Sequence, residues 1–346
     1  MRIRFITSTP LDIRRGSGTF VGIKVLARAL KSLGHEVVFT TPRIHLPVYT
    51  AERILFNRSL RHAPDCDLSI GFDMDGYRIP DVASLKGVIA DELRFETGLT
   101  RLTMSVQARC ERLHVNNARL VITTSRYSAE RARDLYGLPC LPSIVPELID
   151  LAQWRAGLRQ NSLPPSNRFT VLSVGRFYPR KRIDNLLRAA ALLRPKLPEL
   201  EVRIVGNGPS AHGWRLLAHQ LRLGDSVTWL GDVSQAALAA EFNRASVFCL
   251  PSVQEGFGIV LLEAMAAGKP IVAARAAAIP EVAPHASFAE PDNPDALAAA
   301  IESLFRSHEA RQQQAAAGAR WVEEFDAPRV ARLFVDVVSG ARATCR

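Results

Sequence analysis

Short apolar runs alternate along this chain with segments in which apolar residues recur every three or four positions. Residues 2–7 form one such run, which predicts a strand, and residues 35–40 predict another. The segment between them ends at Gly34 and carries apolar residues at helical spacing, namely Val21, Val25, Leu26 and Leu30. Strands that alternate with helices in this way indicate a doubly wound parallel sheet.

The same alternation continues to the end of the chain. Helices are expected at residues 53–62, 100–117, 128–136, from 184, 234–245, from 258 and 328–338. Strands are expected at residues 68–72, 86–90, 120–123, 170–174, 201–205, 227–230, 246–250, from 270 and at 286–290. The chain is therefore an α/β protein.

The length and the polar stretches suggest two domains. A chain of 346 residues is long enough for about two domains of roughly 150 residues each. The stretch from Asn161 to Asn167 is polar and contains prolines, as flexible linkers do. We therefore expect a first domain over residues 1–155, a linker over 156–167, a second domain over 168–325 and a separate final helix over 326–346.

Composition excludes several classes of protein. Hydrophobic residues make up 47% of the chain, which is typical of a soluble globular protein. No apolar stretch reaches the roughly 20 residues that span a bilayer, and the first ten residues do not resemble a secretory signal. The five cysteines are scattered, which predicts reduced thiols and a cytoplasmic protein. The eight histidines show no metal-ligand spacing, so we expect no metal site.

The chain is basic, with a net charge of +10. The excess of basic residues is spread over both halves, and no zinc-finger spacing, aromatic RNA-binding run or basic tail accompanies it. Nucleic acid is therefore not the expected partner. An anionic substrate and peripheral contact with an anionic membrane, at the inner face of the plasma membrane, explain the charge better.

One stretch combines a strand, a glycine turn and a helix start. The apolar run 246–250 is followed by Gly256 and Gly258, after which a helix opens and continues to Gly268. The first N–H groups of a helix lack backbone partners, and the helix dipole adds roughly half a positive charge there. Glycines let a ligand approach the backbone closely. The stretch therefore predicts an anion site.

Two acidic residues and two basic residues accompany that turn. Glu255 and Glu263 are eight positions apart, and carboxylates accept hydrogen bonds from sugar hydroxyls. Arg176 and Lys181 follow the strand 170–174 on one turn, so both can reach a single anion. Arg180 and Arg182 fit solvated surface cations better. Together these groups suggest a ligand that is part phosphate and part sugar. An ordinary strand–helix–strand unit would explain the glycines but not the paired glutamates.

The motif E-G-F-G-x-x-x-x-E-A-M-A-x-G-x-P, from Glu255 to Pro270, resembles the retaining glycosyltransferases of the GT-B fold, in family 4 or glycosyl transferases group 1. The sequence G-R-x-x-x-x-K-x-x-D-x-L-L-x-A from Gly175 also matches that family. The resemblance implies two Rossmann-like domains that face a central cleft. It also implies an acceptor-side first domain, a nucleotide-sugar-binding second domain and a final helix that crosses back to the first.

The resemblance also implies roles for particular residues. Arg176, Lys181 and Glu255 would be catalytic, and Glu263 would hold the ribose of a UDP- or GDP-linked sugar, with no cofactor or metal required. Further contacts to this donor would come from Gly16, Gly18, Thr19, Gly175, Gly206, Gly256, Phe257, Gly258 and Ile259. The acceptor would be a sugar, a lipid-linked sugar or a small molecule, and the role would fit polysaccharide biosynthesis for the cell envelope.

The sequence departs from the family pattern at two places. Asp91-Glu92 stands where relatives often place a histidine, so either residue could contact the acceptor or the sugar. Glu147-Leu148 replaces the usual Asn-Gly. The same architecture also leaves open a sugar-nucleotide epimerase, and these departures leave open a catalytically inactive nucleotide-sugar-binding protein. The short D-x-D motif at residues 73–75 is expected to serve a loop or a helix cap rather than a metal.

Overall fold

The computed structural model describes residues 1–9, 18–43, 46, 48–61, 65–77, 81–164 and 166–343. Two compact units divide the chain. The first comprises Met1–Leu148 together with Asp326–Arg346, and the second comprises Ile149–Phe325. The division therefore falls earlier than residue 155, and the segment expected to be a linker begins inside a helix of the second unit.

The first unit contains a parallel sheet of six strands in the described residues. Its strands are β1 (Arg2–Ile6), β2 (Glu36–Thr40), β3 (Leu68–Phe72), β4 (Val82–Leu85), β5 (Leu120–Thr123) and β6 (Ser143–Ile144). They lie in the order β2-β1-β3-β4-β5-β6. Neighbouring strands are parallel throughout, so the carboxyl ends of all six lie along one edge.

The second unit contains a second parallel sheet, again of six strands among the residues described. Its strands are β7 (Phe169–Val174), β8 (Leu200–Val205), β9 (Val227–Gly231), β10 (Val247–Leu250), β11 (Ile271–Ala274) and β12 (Ser287–Ala289). They lie in the order β12-β11-β10-β7-β8-β9, which is the doubly wound arrangement of a Rossmann domain.

Helices connect the strands of both sheets. In chain order they are α1 (Gly18–Ser32), α2 (Tyr49–Ser59), α3 (Ile89–Glu92), α4 (Gly98–Asn117), α5 (Arg126–Tyr136), α6 (Leu151–Gln160), α7 (Ile183–Leu193), α8 (Ala211–Gln220), α9 (Gln235–Arg244), α10 (Ile259–Ala266), α11 (Ile279–Val282), α12 (Pro294–Arg306), α13 (His308–Trp321) and α14 (Ala327–Ala343). None of the described helices is long and apolar enough to cross a membrane.

The sequence-based strand at residues 86–90 is wrong. The strand is Val82–Leu85, whose residues are all buried, and Ile89–Glu92 forms the short helix α3 instead. Val82 pairs with Ile70 of β3 on one side and with Leu120 of β5 on the other. The sequence offers two short apolar runs in succession here, and periodicity alone does not distinguish a buried strand from a helical turn of that length.

Local capping interactions mark several element ends. Ser125 caps α5, because its hydroxyl accepts a hydrogen bond from the backbone N–H of Ser128 at 3.0 Å. Gly268 follows α10 with a φ of +63°, the left-handed conformation that a glycine adopts without strain after a helix. Ser234 caps α9 through the N–H of Ala237.

Each unit has its own apolar core. In the first, α1 packs on α14, and Phe334 of α14 is buried in one cluster with Phe5 of β1. In the second, α7 packs on α12 over the sheet, with Leu186 fully buried. The last helix thus belongs to the core of the first unit, although the second unit precedes it in the sequence.

Candidate functional site

The second sheet changes direction between β7 and β10. From β7 the chain adds β8 and β9 toward one edge, and from β10 it adds β11 and β12 toward the other. In open α/β sheets, ligands bind outside the carboxyl ends of the strands at such a switch point. The loops that follow β7 and β10 flank this position, and they carry the residues that the sequence singles out.

Two contacts join these loops directly. The backbone N–H of Val253 donates to the carbonyl of Arg180 at 2.9 Å. The ammonium of Lys181 donates to Oε1 of Glu255 at 2.6 Å. The side chains of this pair are 16% and 8% exposed, respectively, so the pair is largely shielded from water. The structure thus brings together two of the three residues expected to be catalytic.

The environment of Glu255 keeps it ionised. Burial alone would raise the pKa of this carboxyl group. The positive charges of Lys181 and Arg180, and the hydrogen bond from Lys181, outweigh burial and leave the pKa below its ordinary value. Arg180 is half-buried beside this loop and is therefore not the fully solvated surface cation that the sequence suggests. Arg182 is also half-buried, and its guanidinium lies 2.6 Å from the carboxylate of the more exposed Asp292.

The turn before α10 requires a glycine. Gly258 has a φ of +88°, a left-handed conformation that L side chains rarely adopt. Ile259 begins the helix directly after it, so the first N–H groups of α10 lie at the end of this loop. The ring of Phe257 is buried against Phe325, with 5.7 Å between the ring centres. The Phe257 side chain therefore packs inside the unit. Gly256 lies in the same loop.

Glu263 lies within α10 and differs from Glu255 in its surroundings. Its side chain is buried, and burial raises its pKa to about 8. Within the described part of the chain, no side chain or backbone group forms a hydrogen bond with its carboxyl group. Its backbone carbonyl accepts a hydrogen bond from the indole N–H of Trp154 at 3.1 Å.

Arg176 lies at the carboxyl end of β7. Its guanidinium is 3.6 Å from Oδ1 of Asp232, which follows β9, and about a third of its side chain is exposed. The contact is long and accessible to water, so it holds the guanidinium weakly.

Gly175 and Gly206 bring the ends of β7 and β8 into close contact. A Cβ atom on Gly206 would lie 1.9 Å from the carbonyl oxygen of Gly175, and the φ of Gly206 is +123°. The N–H of Gly206 donates to the carbonyl of Gly231 at 2.8 Å. Gly206 is thus required where three strand ends meet.

The residues singled out in the first unit fall into two groups. Gly18 and Thr19 begin α1, whereas Gly16 lies outside the described residues. Asp91 is fully buried in α3, where its carboxylate accepts hydrogen bonds from Tyr127 and Arg131 and forms an ion pair with Arg94.

Glu92 follows Asp91 and is half-buried. A Cβ atom on Gly87 would lie 2.8 Å from the Glu92 carboxylate, so that carboxylate lies against the backbone of Gly87.

The D-x-D motif serves the structure of the first unit. Asp75 is fully buried and accepts hydrogen bonds from Ser8, Arg53 and Asn57. Asp73 accepts a hydrogen bond from the backbone of Lys86 at 2.9 Å. No group of three or more His, Cys, Asp or Glu residues in the described ranges is arranged to hold a metal ion.

The first unit contains a buried ion pair that the sequence does not predict. Lys86 and Glu147 lie 3.0 Å apart, with 6% of each side chain exposed. Glu147 belongs to one of the two places where the sequence departs from the family pattern, and Lys86 follows β4. Because 61 positions separate them, no local signal could have paired them.

Comparison with known proteins agrees with this geometry. Residues 155–321 match the family model of glycosyl transferases group 1. Nearly the whole chain superimposes on sucrose-phosphate synthase from Thermosynechococcus elongatus, with a TM-score of 0.81, 21% identity and coverage of 99% of this chain and 100% of that one. The fold is therefore GT-B, with two Rossmann-like domains, and the second unit is a glycosyltransferase domain of group 1.

Two curated relatives extend the comparison. The chain is 36% identical over 176 residues to the D-inositol 3-phosphate glycosyltransferase of Streptomyces scabiei. This match covers 47% of this chain and 40% of that protein. It is 30% identical over 258 residues to the GDP-mannose-dependent alpha-(1-6)-phosphatidylinositol monomannoside mannosyltransferase of Mycobacterium tuberculosis, which covers 70% of this chain and 66% of that one. The matched part spans about 40% of the first of these relatives.

Proposed function

We propose that this protein is a retaining glycosyltransferase. It transfers a sugar from a nucleoside-diphosphate sugar to a hydroxyl acceptor, and it needs no metal ion. The observation that carries the proposal is the buried contact between Lys181 and Glu255 at the switch point of the second sheet, beside the start of α10. This contact supports a single site in which the ammonium of Lys181, the carboxylate of Glu255 and the first N–H groups of α10 lie side by side.

The cationic groups suit the diphosphate of the donor. The ammonium of Lys181, the guanidinium of Arg176 and the N–H groups that begin α10 all offer hydrogen bonds to phosphate oxygens. The diphosphate gains negative charge as it leaves, so these donors stabilise the transition state more than the bound substrate. Removal of one such donor typically lowers the rate about a hundredfold or more.

The two glutamates suit the hydroxyl groups of the donor. Glu255 is ionised and would accept hydrogen bonds from the transferred sugar. Glu263 would hold the ribose, because its carboxyl group lacks a partner in the described part of the unit and can accept from two neighbouring hydroxyls. With a pKa of about 8 it carries a proton at neutral pH, and the bound hydroxyls would favour its ionised form.

The reaction breaks the bond between the sugar C1 and the phosphate oxygen. The bonding electrons pass to the departing diphosphate, and the sugar acquires the character of an oxocarbenium ion. The acceptor hydroxyl attacks C1 on the same face, and its proton passes to the phosphate oxygen that has just left. The configuration at C1 is retained, and no protein side chain has to act as a base.

The transferred sugar is proposed to be linked to UDP or GDP. The name of the Mycobacterium tuberculosis relative specifies GDP-mannose, which supports GDP. The acceptor is a hydroxyl of a glycan, a lipid-linked sugar or a small molecule. We place the protein in the cytoplasm, in the synthesis of an envelope polysaccharide.

Thermal stability in the presence of UDP, GDP, ADP and TDP tests the donor site. A nucleotide at about 100 times its dissociation constant raises the free energy of unfolding by about 2.7 kcal/mol. One nucleotide should give this shift, and Lys181→Ala and Glu263→Gln should each reduce it. Lys196→Ala is the matched control, because Lys196 lies outward in an exposed ion pair.

Product analysis then tests the reaction. NMR of the product should show the same anomeric configuration as the donor, together with free nucleoside diphosphate. A sugar that changes configuration while it stays attached to the nucleotide would identify an epimerase instead. Nucleotide binding without release of diphosphate, in the presence of many acceptors, would identify an inactive binding protein.

A further inference from the structure

Helix α4 exposes a stripe of aliphatic side chains along its length. Leu99, Leu102, Val106 and Leu113 are 74%, 63%, 36% and 52% exposed. Successive members are three, four and seven positions apart, so they fall within a roughly 60° arc of the helix surface. Single exposed leucines are ordinary, but four exposed aliphatic side chains aligned on one helix are a feature of interaction sites.

The opposite face of α4 already supplies the packing of the unit. Its buried residues are Gln107, Ala108, Glu111, His114 and Val115. Burial on that face explains why the helix forms, and it leaves the aliphatic stripe without a role in the core. A helix that has an apolar stripe on its solvent side as well needs a second apolar environment for it.

The exposed charged side chains of α4 that border the stripe are positive. Arg101, Arg109 and Arg112 are exposed along one side of it. On the other side lies Cys110, where burial raises the pKa of the thiol and the charges of Arg53 and of exposed Arg58, both in α2, oppose that rise. Glu111 is the one acidic residue in the sequence of α4, and it is fully buried on the packed face.

We propose that this aliphatic and basic face of α4 docks the first unit on an anionic lipid surface. Leucine and valine side chains would enter the boundary between headgroups and acyl chains, while the arginines contact lipid phosphates. The face is a convex helix surface that combines aliphatic groups with positive charge, and a second copy would bring like charges together. The net charge of +10 adds a long-range attraction of the same sign.

Sedimentation of the full chain with lipid vesicles tests the proposal. At low salt the protein should bind vesicles of phosphatidylcholine mixed with phosphatidylglycerol and should not bind phosphatidylcholine alone. Leu102→Gln/Leu113→Gln should weaken binding about tenfold or more, because two apolar contacts are lost. Arg109→Ala/Arg112→Ala should weaken it about fivefold for each arginine and reduce its dependence on salt.

Matched controls carry the same changes elsewhere. Leu192→Gln/Leu216→Gln replaces two other exposed leucines, and Arg159→Ala/Arg188→Ala replaces two other exposed arginines. Both controls should bind like the unchanged protein. The melting temperature of each variant without nucleotide verifies that the fold is intact. The thermal shift with nucleotide depends on the second unit, so failure of lipid binding is distinct from failure of the proposed reaction.

Three results would overturn the proposal: no binding to the mixed vesicles, equal binding to phosphatidylcholine alone, or equal loss in the control variants. Light scattering adds a fourth. A dimer that the Leu102→Gln/Leu113→Gln variant dissociates would assign the face to a second copy of this chain.

Discussion

The ammonium of Lys181 lies 2.6 Å from the carboxylate of Glu255, although 74 positions separate them in the sequence. One follows β7 and the other follows β10, and these strands are neighbours only because the sheet reverses its order between them. The contact holds Lys181 beside the α10 turn, and a side chain that is already positioned loses less entropy when it binds an anion.

Substitution of Lys181 by alanine should destabilise the second unit. It leaves the buried carboxylate of Glu255 without its nearest cation, and loss of one partner of a buried pair typically costs about 3 kcal/mol or more. Glu255→Gln in the same chain should restore part of that loss, so the two changes should be less than additive. Denaturant unfolding of the single and double variants measures this. Fully additive losses would show that the contact contributes nothing.

Substitution of Glu263 by glutamine should change how stability depends on pH. In the folded protein Glu263 keeps its proton up to a pKa of about 8, whereas the unfolded chain releases it near 4.5. Between these values unfolding releases a proton, so a rise in pH favours the unfolded state. The glutamine does not titrate. The free energy of unfolding of Glu263→Gln, relative to the unchanged protein, should therefore rise by up to about 1.4 kcal/mol for each pH unit in this window.

Urea unfolding at several pH values measures that difference. It should grow between about pH 5 and pH 8 and level off above. A difference that stays constant over this range would show that the folded-state pKa of Glu263 is not raised.

Substitution of Gly206 by alanine should prevent the second unit from folding well. The new Cβ would lie 1.9 Å from the carbonyl oxygen of Gly175. The Cβ is fixed by the backbone of residue 206, and the oxygen belongs to the backbone of Gly175, so neither atom can rotate away. We expect a loss of about 4 kcal/mol or more in the free energy of unfolding. Gly213→Ala in α8 is the control, because no atom lies within 4 Å of the position that its Cβ would take. In a helix, alanine is also more favourable than glycine by about 1 kcal/mol.

Thermal unfolding of the two glycine variants distinguishes these effects. Gly206→Ala should melt far below the unchanged protein, and Gly213→Ala should melt at the same temperature or slightly above it. A Gly206→Ala protein of normal stability would contradict the close contact between the two strand ends.

Substitution of Asp75 by asparagine should destabilise the first unit. The change removes the carboxylate that forms an ion pair with the buried guanidinium of Arg53 and disturbs the hydrogen bonds from Ser8, which should cost about 3 to 5 kcal/mol. Glu130→Gln is the control, since Glu130 pairs with Arg126 at 3.8 Å on the surface and should contribute under about 0.5 kcal/mol. Denaturant titration compares the two. Equal small effects would show that Asp75 is not needed for the fold.

The order of strands and helices could be predicted from the sequence because buried parallel strands and amphipathic helices leave different spacings. The strand at Val82–Leu85 could not, since two short apolar runs stand on either side of Lys86 and only pairing with β3 and β5 decides between them. The cap at Ser125 was predictable because it is a local hydrogen bond.

The site was predictable in part for the same reason. The glycine turn before α10 has a local motif, so its position was clear from the chain alone. The contact of Lys181 with Glu255 and the burial of Glu263 depend on which strands become neighbours, and no pattern within either loop contains that information. Arg180 appeared to be a surface residue because its partner loop lies more than 70 positions away.

The switch between β7 and β10 has a consequence for synthesis of the chain. A nascent polypeptide that has reached only β9 contains the arginine and lysine of the first loop but not the acidic turn of the second. Under the proposed function, donor recognition must therefore wait until β10 inserts next to β7, a long-range closure that is among the slow steps of folding. A nucleotide that binds the proposed site should then protect the completed chain from degradation but not a chain that ends before β10.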